Sequence, residues 1–126
     1  MPLSASAASA EPVGRIVGHL DGVSRDGDHF FISGWACQQG QHRSIAVHVY
    51  GEDPKDPSKR ALLIVQFANL HNEPTVAQAC QDRDSNHRFV ILLPHGYGPD
   101  SRIYVHGIRL VDGVAGKYFS DGREVL

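Results

Sequence analysis

Turn-forming residues divide this chain into short segments, and this feature restricts its fold more than any other. Pairs such as Asp26-Gly27, Asp112-Gly113 and Asp121-Gly122 recur along the sequence. The segments between the turns have the length of β-strands and are rich in β-branched and aromatic residues. Short strands separated by regular turns are typical of antiparallel sandwiches and barrels. The sequence therefore predicts a mainly β fold, an antiparallel β-sandwich or jelly-roll-like domain.

One expected strand shows the alternation of a half-buried sheet especially clearly. In residues 44–51, Ile45, Val47 and Val49 share one face, and Ala46, His48 and Tyr50 share the other. Such alternation predicts one buried face and one polar face. Strands are expected over residues 15–23, 30–37, 44–51, 60–67, 88–93, 102–111 and 117–120, with a charged, exposed connection over 52–59.

The strand Ile32-Ser33-Gly34-Trp35-Ala36-Cys37 contains the single tryptophan and one of the two cysteines. A tryptophan side chain buries on the order of 200 Å² and dominates a small core. We therefore expect Trp35 to be the largest buried side chain of the domain. Its expected neighbours are Phe30 or Phe31, Val47, Val49, Phe89 and Val105.

A single short α-helix is predicted near residues 73–81. Asn72 is a suitable N-cap, Glu73 suits the positive end of the helix dipole, and Pro74 fits the first turn. Val76, Ala79 and Cys80 would share one face. Because a helix of about two turns is not stable by itself, it needs tertiary support.

The first residues differ in composition from the rest of the chain. Residues 1–13 are mostly small and nearly uncharged, and segments such as Ala5-Ser6-Ala7 have the Ala-x-Ala spacing of a signal-peptide cleavage site. We interpret them as a disordered tail and a remnant of a signal peptide; a low-complexity tail is the alternative. Residues 14–126 are expected to form a single β-sandwich domain.

The two cysteines predict a disulfide between Cys37 and Cys80. Their number is even, and they lack the Cys-x-x-Cys spacing of a redox or metal site. The bond would attach the helix to the sheet and would fit an oxidising compartment outside the cytoplasm. The alternative is a pair of reduced cysteines acting as small apolar residues in a cytosolic protein.

Several short motifs occur in a characteristic order. They are Gly18-His19-Leu20-Asp21-Gly22-Val23, Gly34-Trp35-Ala36, Val47-His48-Val49-Tyr50 and His87-Arg88-Phe89, with the short helix between the last two. In this respect the chain, from residue 14 to about 110, resembles β-sandwich-like modules of exported proteins from actinobacteria and Burkholderia-type proteobacteria. A cysteine after Gly-Trp-Ala and another at the helix end make it similar to the Burkholderia-type group.

The resemblance is weaker at the helix entry. Many relatives carry Arg-x-Asp-Val there, and this chain has Asn72-Glu73-Pro74-Thr75-Val76. Modules of this type have no settled activity. The resemblance therefore implies an exported β-sandwich and leaves its function open.

Charge and hydropathy exclude two classes of partner. Fourteen acidic residues nearly balance twelve basic ones, and the basic residues are not clustered, so binding through nucleic-acid phosphates is not expected. No apolar stretch approaches the roughly 18 residues of a membrane span.

Known catalytic and metal-binding signatures are missing from the sequence. The eight histidines include no zinc spacing, and there is no Gly-x-Ser-x-Gly elbow. The best candidate pair is His48 with His106, which would meet if their strands pair. We expect no metal, no cofactor and no catalytic residue.

The remaining possibility is recognition by aromatic side chains. We predict a non-enzymatic exported module, located in the periplasm, on the cell surface or secreted, that binds or scaffolds an envelope glycan or envelope protein. We expect a monomer, and an exposed location would make it an antigen. A glycan ligand should be uncharged or mildly charged. The alternative is a hydrolytic enzyme whose site assembles from distant residues. The candidate ligand-binding residues are Tyr97, Tyr50, Tyr104, His48 and His106.

Overall fold

Two four-stranded antiparallel sheets pack against each other in a β-sandwich, as the sequence predicts. The computed structural model describes residues 13–53 and 55–110, and the backbone of one further strand at 115–118. The strands are β1 (Ile16–Asp26), β2 (His29–Gln38), β3 (Ala46–Asp53), β4 (Asp56–Phe67), β5 (Leu70–His71), β6 (Asn86–Leu92), β7 (Ile103–Ile108) and β8 (Ala115–Tyr118). Sheet A has the order β1-β2-β6-β5, and sheet B has the order β4-β3-β7-β8.

The strand limits differ from the expected ones by a few residues at several ends, and β4 and β5 show two differences of note. β4 begins at Asp56, within the segment expected to be an exposed connection. The two-residue strand β5 has no counterpart among the expected strands, because only its pairing with β6 defines it. Residues 1–12 of the expected tail and residues 119–120 of the last expected strand lie outside the described residues.

Alternate residues of both sheets fill the space between them. Ile45, Val47 and Val49 are fully buried, which confirms the inward face predicted for this strand. From sheet A, Phe89 is the largest fully buried side chain. The other buried members of this core are Ile16, Ile32, Ala36, Ala68, Ile91, Leu93, Ile103 and Val105.

The prediction that Trp35 is the centre of the core is wrong. Trp35 is only partly buried, and it packs against a separate small cluster formed by Cys37, Val76 and Cys80. Alternation along β2 explains this position, because Ile32 and Ala36 take the inward face and Trp35 takes the opposite one.

The predicted helix is present as α1 (Pro74–Cys80), and it lies against the outer face of sheet A. Its N-cap is Glu73 and not Asn72 as predicted. The Asn72 side chain is buried and instead accepts a hydrogen bond from the amide of His87 at 2.8 Å. This bond ties the residue before the helix cap to β6.

An ion-pair network holds the N-terminal end of the helix to sheet A. The Arg88 guanidinium donates two bonds to Glu73, at 2.7 and 2.6 Å, and one to Asp21 at 2.6 Å. The hydrogen bonding from Arg88 to Glu73 is the largest cause that lowers the pKa of Glu73 to about 2.

The predicted disulfide between Cys37 and Cys80 is confirmed, and it holds the C-terminal end of the helix. Two further bonds satisfy helix carbonyls there: Gly40 N–H donates to Cys80 at 2.8 Å, and the Gln39 side chain donates to Ala79 at 3.0 Å. Unpaired carbonyls at a helix end need such partners. The short helix is therefore fixed at both ends by sheet A and the loop after β2.

We predict that Phe89→Ala will destabilise the domain more than Trp35→Ala. Removing a fully buried phenylalanine ring costs about 3–5 kcal/mol of unfolding free energy, whereas Trp35 already keeps part of its surface in water. Urea unfolding of both variants measures the difference. A larger loss for Trp35→Ala would contradict the division into a main core and a smaller helix cluster.

Loss of the disulfide should cost about 4 kcal/mol by the chain-entropy estimate, because the linked residues are 43 positions apart. The Cys37→Ala/Cys80→Ala double variant should show this loss in urea unfolding. Reductant should lower the melting temperature of the wild type and leave that of the double variant unchanged. Two alkyl groups added to the denatured, non-reduced wild type would contradict the bond.

Candidate functional site

Four of the five predicted ligand-binding residues lie together on the outer face of sheet B. Pairing of β3 with β7 places His48 opposite His106 and Tyr50 opposite Tyr104. Because alternate residues point to opposite sides of a strand, these four side chains face away from the core. We call this surface, together with Glu52 and Arg60, the aromatic face.

The rings on this face form one contiguous group. The centroids of Tyr50 and His106 are 4.8 Å apart with their planes tilted by 45°, and those of His48 and Tyr50 are 6.4 Å apart. These separations lie in the range of favourable aromatic contacts. His48, Tyr50 and His106 are each partly exposed, so the group offers ring surface to a ligand.

Charged side chains hold the other end of the aromatic face in a fixed arrangement. The Arg60 guanidinium carbon lies 3.5 Å from the ring centroid of Tyr104, which is a cation–π contact. The Tyr104 hydroxyl donates a 2.7 Å hydrogen bond to Glu52 Oε2. That bond, with burial, raises the pKa of Tyr104, so the phenol stays protonated and keeps its donor role.

Burial also affects His106. Its pKa is lowered, first because the ring is partly removed from water, and then because Arg60 and His48 add positive potential. A lowered pKa keeps the imidazole neutral over a wider pH range. A neutral ring is suited to packing against an apolar ligand surface and to a single hydrogen bond.

An apolar strip on edge strand β4 continues the aromatic face. Val65 is opposite His48, and Leu62 is opposite Tyr50. Together with Phe67 they are about half exposed, at 55%, 50% and 55%. Exposed apolar groups that adjoin one another often mark a binding surface.

Tyr97, the fifth predicted residue, lies elsewhere. Its ring packs against the core beside Gly51, where an added Cβ would come within 2.7 Å of the ring. Gly51 is buried on the inner side of β3, so sheet B separates Tyr97 from Tyr50. Tyr97 also lines an open groove with Phe30 and His95. It attaches its loop to the body of the domain, and its ligand-binding role stays a prediction.

A second polar cluster was not predicted from the sequence. Asp82, just after α1, contacts His42 Nδ1 through Oδ1 at 2.8 Å and His87 Nε2 through Oδ2 at 2.7 Å. His87 is fully buried, whereas the side chain of His42 is 71% exposed. The carboxylate thus joins the loop after β2 to β6, and both of its oxygens are occupied by imidazoles. No sequence spacing marks this cluster, because His42 and Asp82 are 40 residues apart.

Within residues 13–53 and 55–110, no group of three or more His, Cys, Asp or Glu side chains is arranged to hold a metal ion. Both cysteines are in the disulfide, so neither is a free thiol nucleophile. No helix in the part of the chain that the structure describes is long and apolar enough to cross a membrane.

A comparison of the chain with protein-family models, curated proteins and solved structures finds no significant match in any of the three. A functional assignment therefore depends on the geometry of the aromatic face and the chemistry of its side chains.

The lowered pKa of His106 predicts a pH-dependent stability. Between the folded-state pKa and the ordinary value of 6.5, the unfolded chain binds more protons than the folded one. The free energy of unfolding therefore falls as the pH falls through this window, and the full stability is present above it. A His106→Gln variant should lose less stability than the wild type between pH of about 7.5 and about 5.0.

Urea unfolding at the two pH values measures this difference. The control is His29→Gln, which removes a histidine that is exposed on β2 and should keep the wild-type dependence. Equal losses of unfolding free energy in the wild type and in His106→Gln would contradict the assignment of this pH dependence to His106.

Proposed function

We propose that this protein is a non-enzymatic, exported module that binds carbohydrate of the bacterial envelope through the aromatic face. The observation that carries the proposal is the ring group of His48, Tyr50 and His106, partly exposed on an outer sheet face. A pyranose ring has an apolar face of C–H groups that packs on aromatic rings, and its hydroxyls need hydrogen-bond partners at the edge.

Polar groups beside the rings supply hydrogen-bond partners for the sugar hydroxyls. Arg60 is exposed and stacked on Tyr104, and Glu52 accepts the Tyr104 hydroxyl at 2.7 Å. Sites of this kind combine apolar contact with a few placed polar groups. The face is already ordered by contacts within the domain, so less conformational entropy is lost when a ligand binds.

The compartment is part of the proposal. The disulfide is compatible with an oxidising environment, where such bonds persist. The order of the sequence motifs, which resembles that of exported modules, also favours export. An exported module with an exposed sheet face would be accessible to antibodies.

An envelope protein is the second candidate partner. The observation that favours it is the apolar strip of Leu62, Val65 and Phe67 on edge strand β4. Protein interfaces often combine such apolar residues with neighbouring tyrosine and arginine. If the partner is an envelope protein, a Val65→Asp variant should no longer bind it.

The hydrolytic alternative from the sequence has its best support in His42 paired with Asp82. That histidine lies on the surface, and Asp82 also binds His87. A hydrolase would additionally need a nucleophile or a second acid placed across a cleft. We therefore favour binding.

The glycan proposal predicts that Tyr50→Ala will weaken binding by about tenfold or more, which corresponds to about 1.4 kcal/mol. A glycan array with the wild type identifies ligands, and calorimetric titration of the best ones measures the affinity. Tyr97→Ala in the same titration tests the loop tyrosine separately.

The matched control is Phe31→Ala, which removes a partly buried aromatic ring of sheet A. It should bind like the wild type. Unfolding curves for all variants show that the domain stays folded. The absence of glycan binding by the wild type, or an equal loss in Tyr50→Ala and Phe31→Ala, would contradict the proposal.

A further inference from the structure

One end of the aromatic face has an acidic side chain, Glu52, and a basic one, Arg60. The carboxylate of Glu52 accepts the hydrogen bond of Tyr104, so one of its oxygens is already occupied. Arg60 is exposed. Arg60 is therefore an exposed cation beside a carboxylate that is already hydrogen-bonded to Tyr104.

The position of Arg60 suits an anionic group on a ligand. The Arg60 guanidinium carbon lies 3.5 Å from the centroid of the Tyr104 ring, and this contact restricts the positions of the guanidinium. A guanidinium has its N–H donors in its own plane, and a planar fork of this kind binds a carboxylate through two parallel hydrogen bonds. Preorganisation by the tyrosine reduces the side-chain entropy lost when a carboxylate binds.

The ring group and the guanidinium lie side by side. The pairing of β3 with β7 places Tyr50 opposite Tyr104, and the Arg60 guanidinium contacts the Tyr104 ring. A sugar that packs on Tyr50 and His106 would therefore have this cation beside it. Among common sugars, uronic acids carry a carboxylate directly on the pyranose ring. A single uronate unit would therefore offer both an apolar ring face and an anionic group.

We propose that the ligand of the aromatic face is an acidic glycan, in which a uronate ring packs on Tyr50 and His106 while its carboxylate binds Arg60. This inference rests on the proposed glycan-binding function and specifies its ligand class.

The test compares each acidic ligand with a neutral form of the same sugar. The probes are oligomers of galacturonate, glucuronate and mannuronate, each as the free acid and as the methyl ester, together with a panel of neutral oligosaccharides. Calorimetric titration at low salt should give at least one free acid that binds about tenfold or more tightly than its ester. Added salt should weaken that binding, because it screens charge interactions at a surface.

Two charge-removing variants on the same strand provide the structural control. Arg60→Gln should reduce the affinity for the acid about tenfold and leave that for the ester nearly unchanged. Lys59→Gln removes the same charge one residue away, from a side chain that is 75% exposed and lies 4.0 Å from Asp56. This control should bind the free acid more tightly than the ester, as the wild type does. Unfolding curves show whether both variants are folded.

The possible failures are distinguishable. Equal binding of acids and esters, or binding of neutral oligosaccharides alone, overturns the acidic ligand class and leaves the glycan-binding function standing. An equal effect of Arg60→Gln and Lys59→Gln overturns the role of Arg60 and points to net charge alone. The absence of binding to every probe overturns both proposals.

Discussion

The pairing of β3 with β7 is the constraint on which both the core and the candidate site depend. One register places Val49 opposite Val105 inside the sandwich and Tyr50 opposite Tyr104 outside it. A shift by one residue would reverse the faces, because side chains alternate along a strand. The buried valines therefore hold the register that assembles the ring group on the other side of the same strands. The stability of the fold and the geometry of the site have a common origin.

The two outer sheet faces are used differently. On sheet A, the helix covers part of the surface and is held there by the disulfide and by Arg88 with its two acidic partners. On sheet B, the aromatic face has polar and charged groups at its border, and among the described residues no helix lies over it. Among the described residues, the helix thus covers part of one outer sheet face, and the candidate site lies on the other.

Much of the fold is predictable from the sequence, whereas the site is predictable only in part. Strict alternation identified the buried face of β3, and the cysteine count identified the disulfide. In β2 both faces carry apolar residues, so alternation alone could not show that Ile32 points inward and Trp35 outward. Arg60 was missed because its contact with Tyr104 depends on how β4 pairs with β3, including a register irregularity between Val49 and Tyr50. The Asp82 cluster depends on tertiary contacts that no local spacing encodes.

The position of Trp35 gives this chain an intrinsic optical reporter. It is the single tryptophan, and it packs against the cluster that contains both half-cystines and the helix residue Val76. Disulfides quench nearby indole emission, and loss of the helix would expose more of the indole to water. The fluorescence of the native protein is therefore sensitive to the redox state and the docking of the helix, without any added label. A fully buried tryptophan in the main core would have reported only global unfolding.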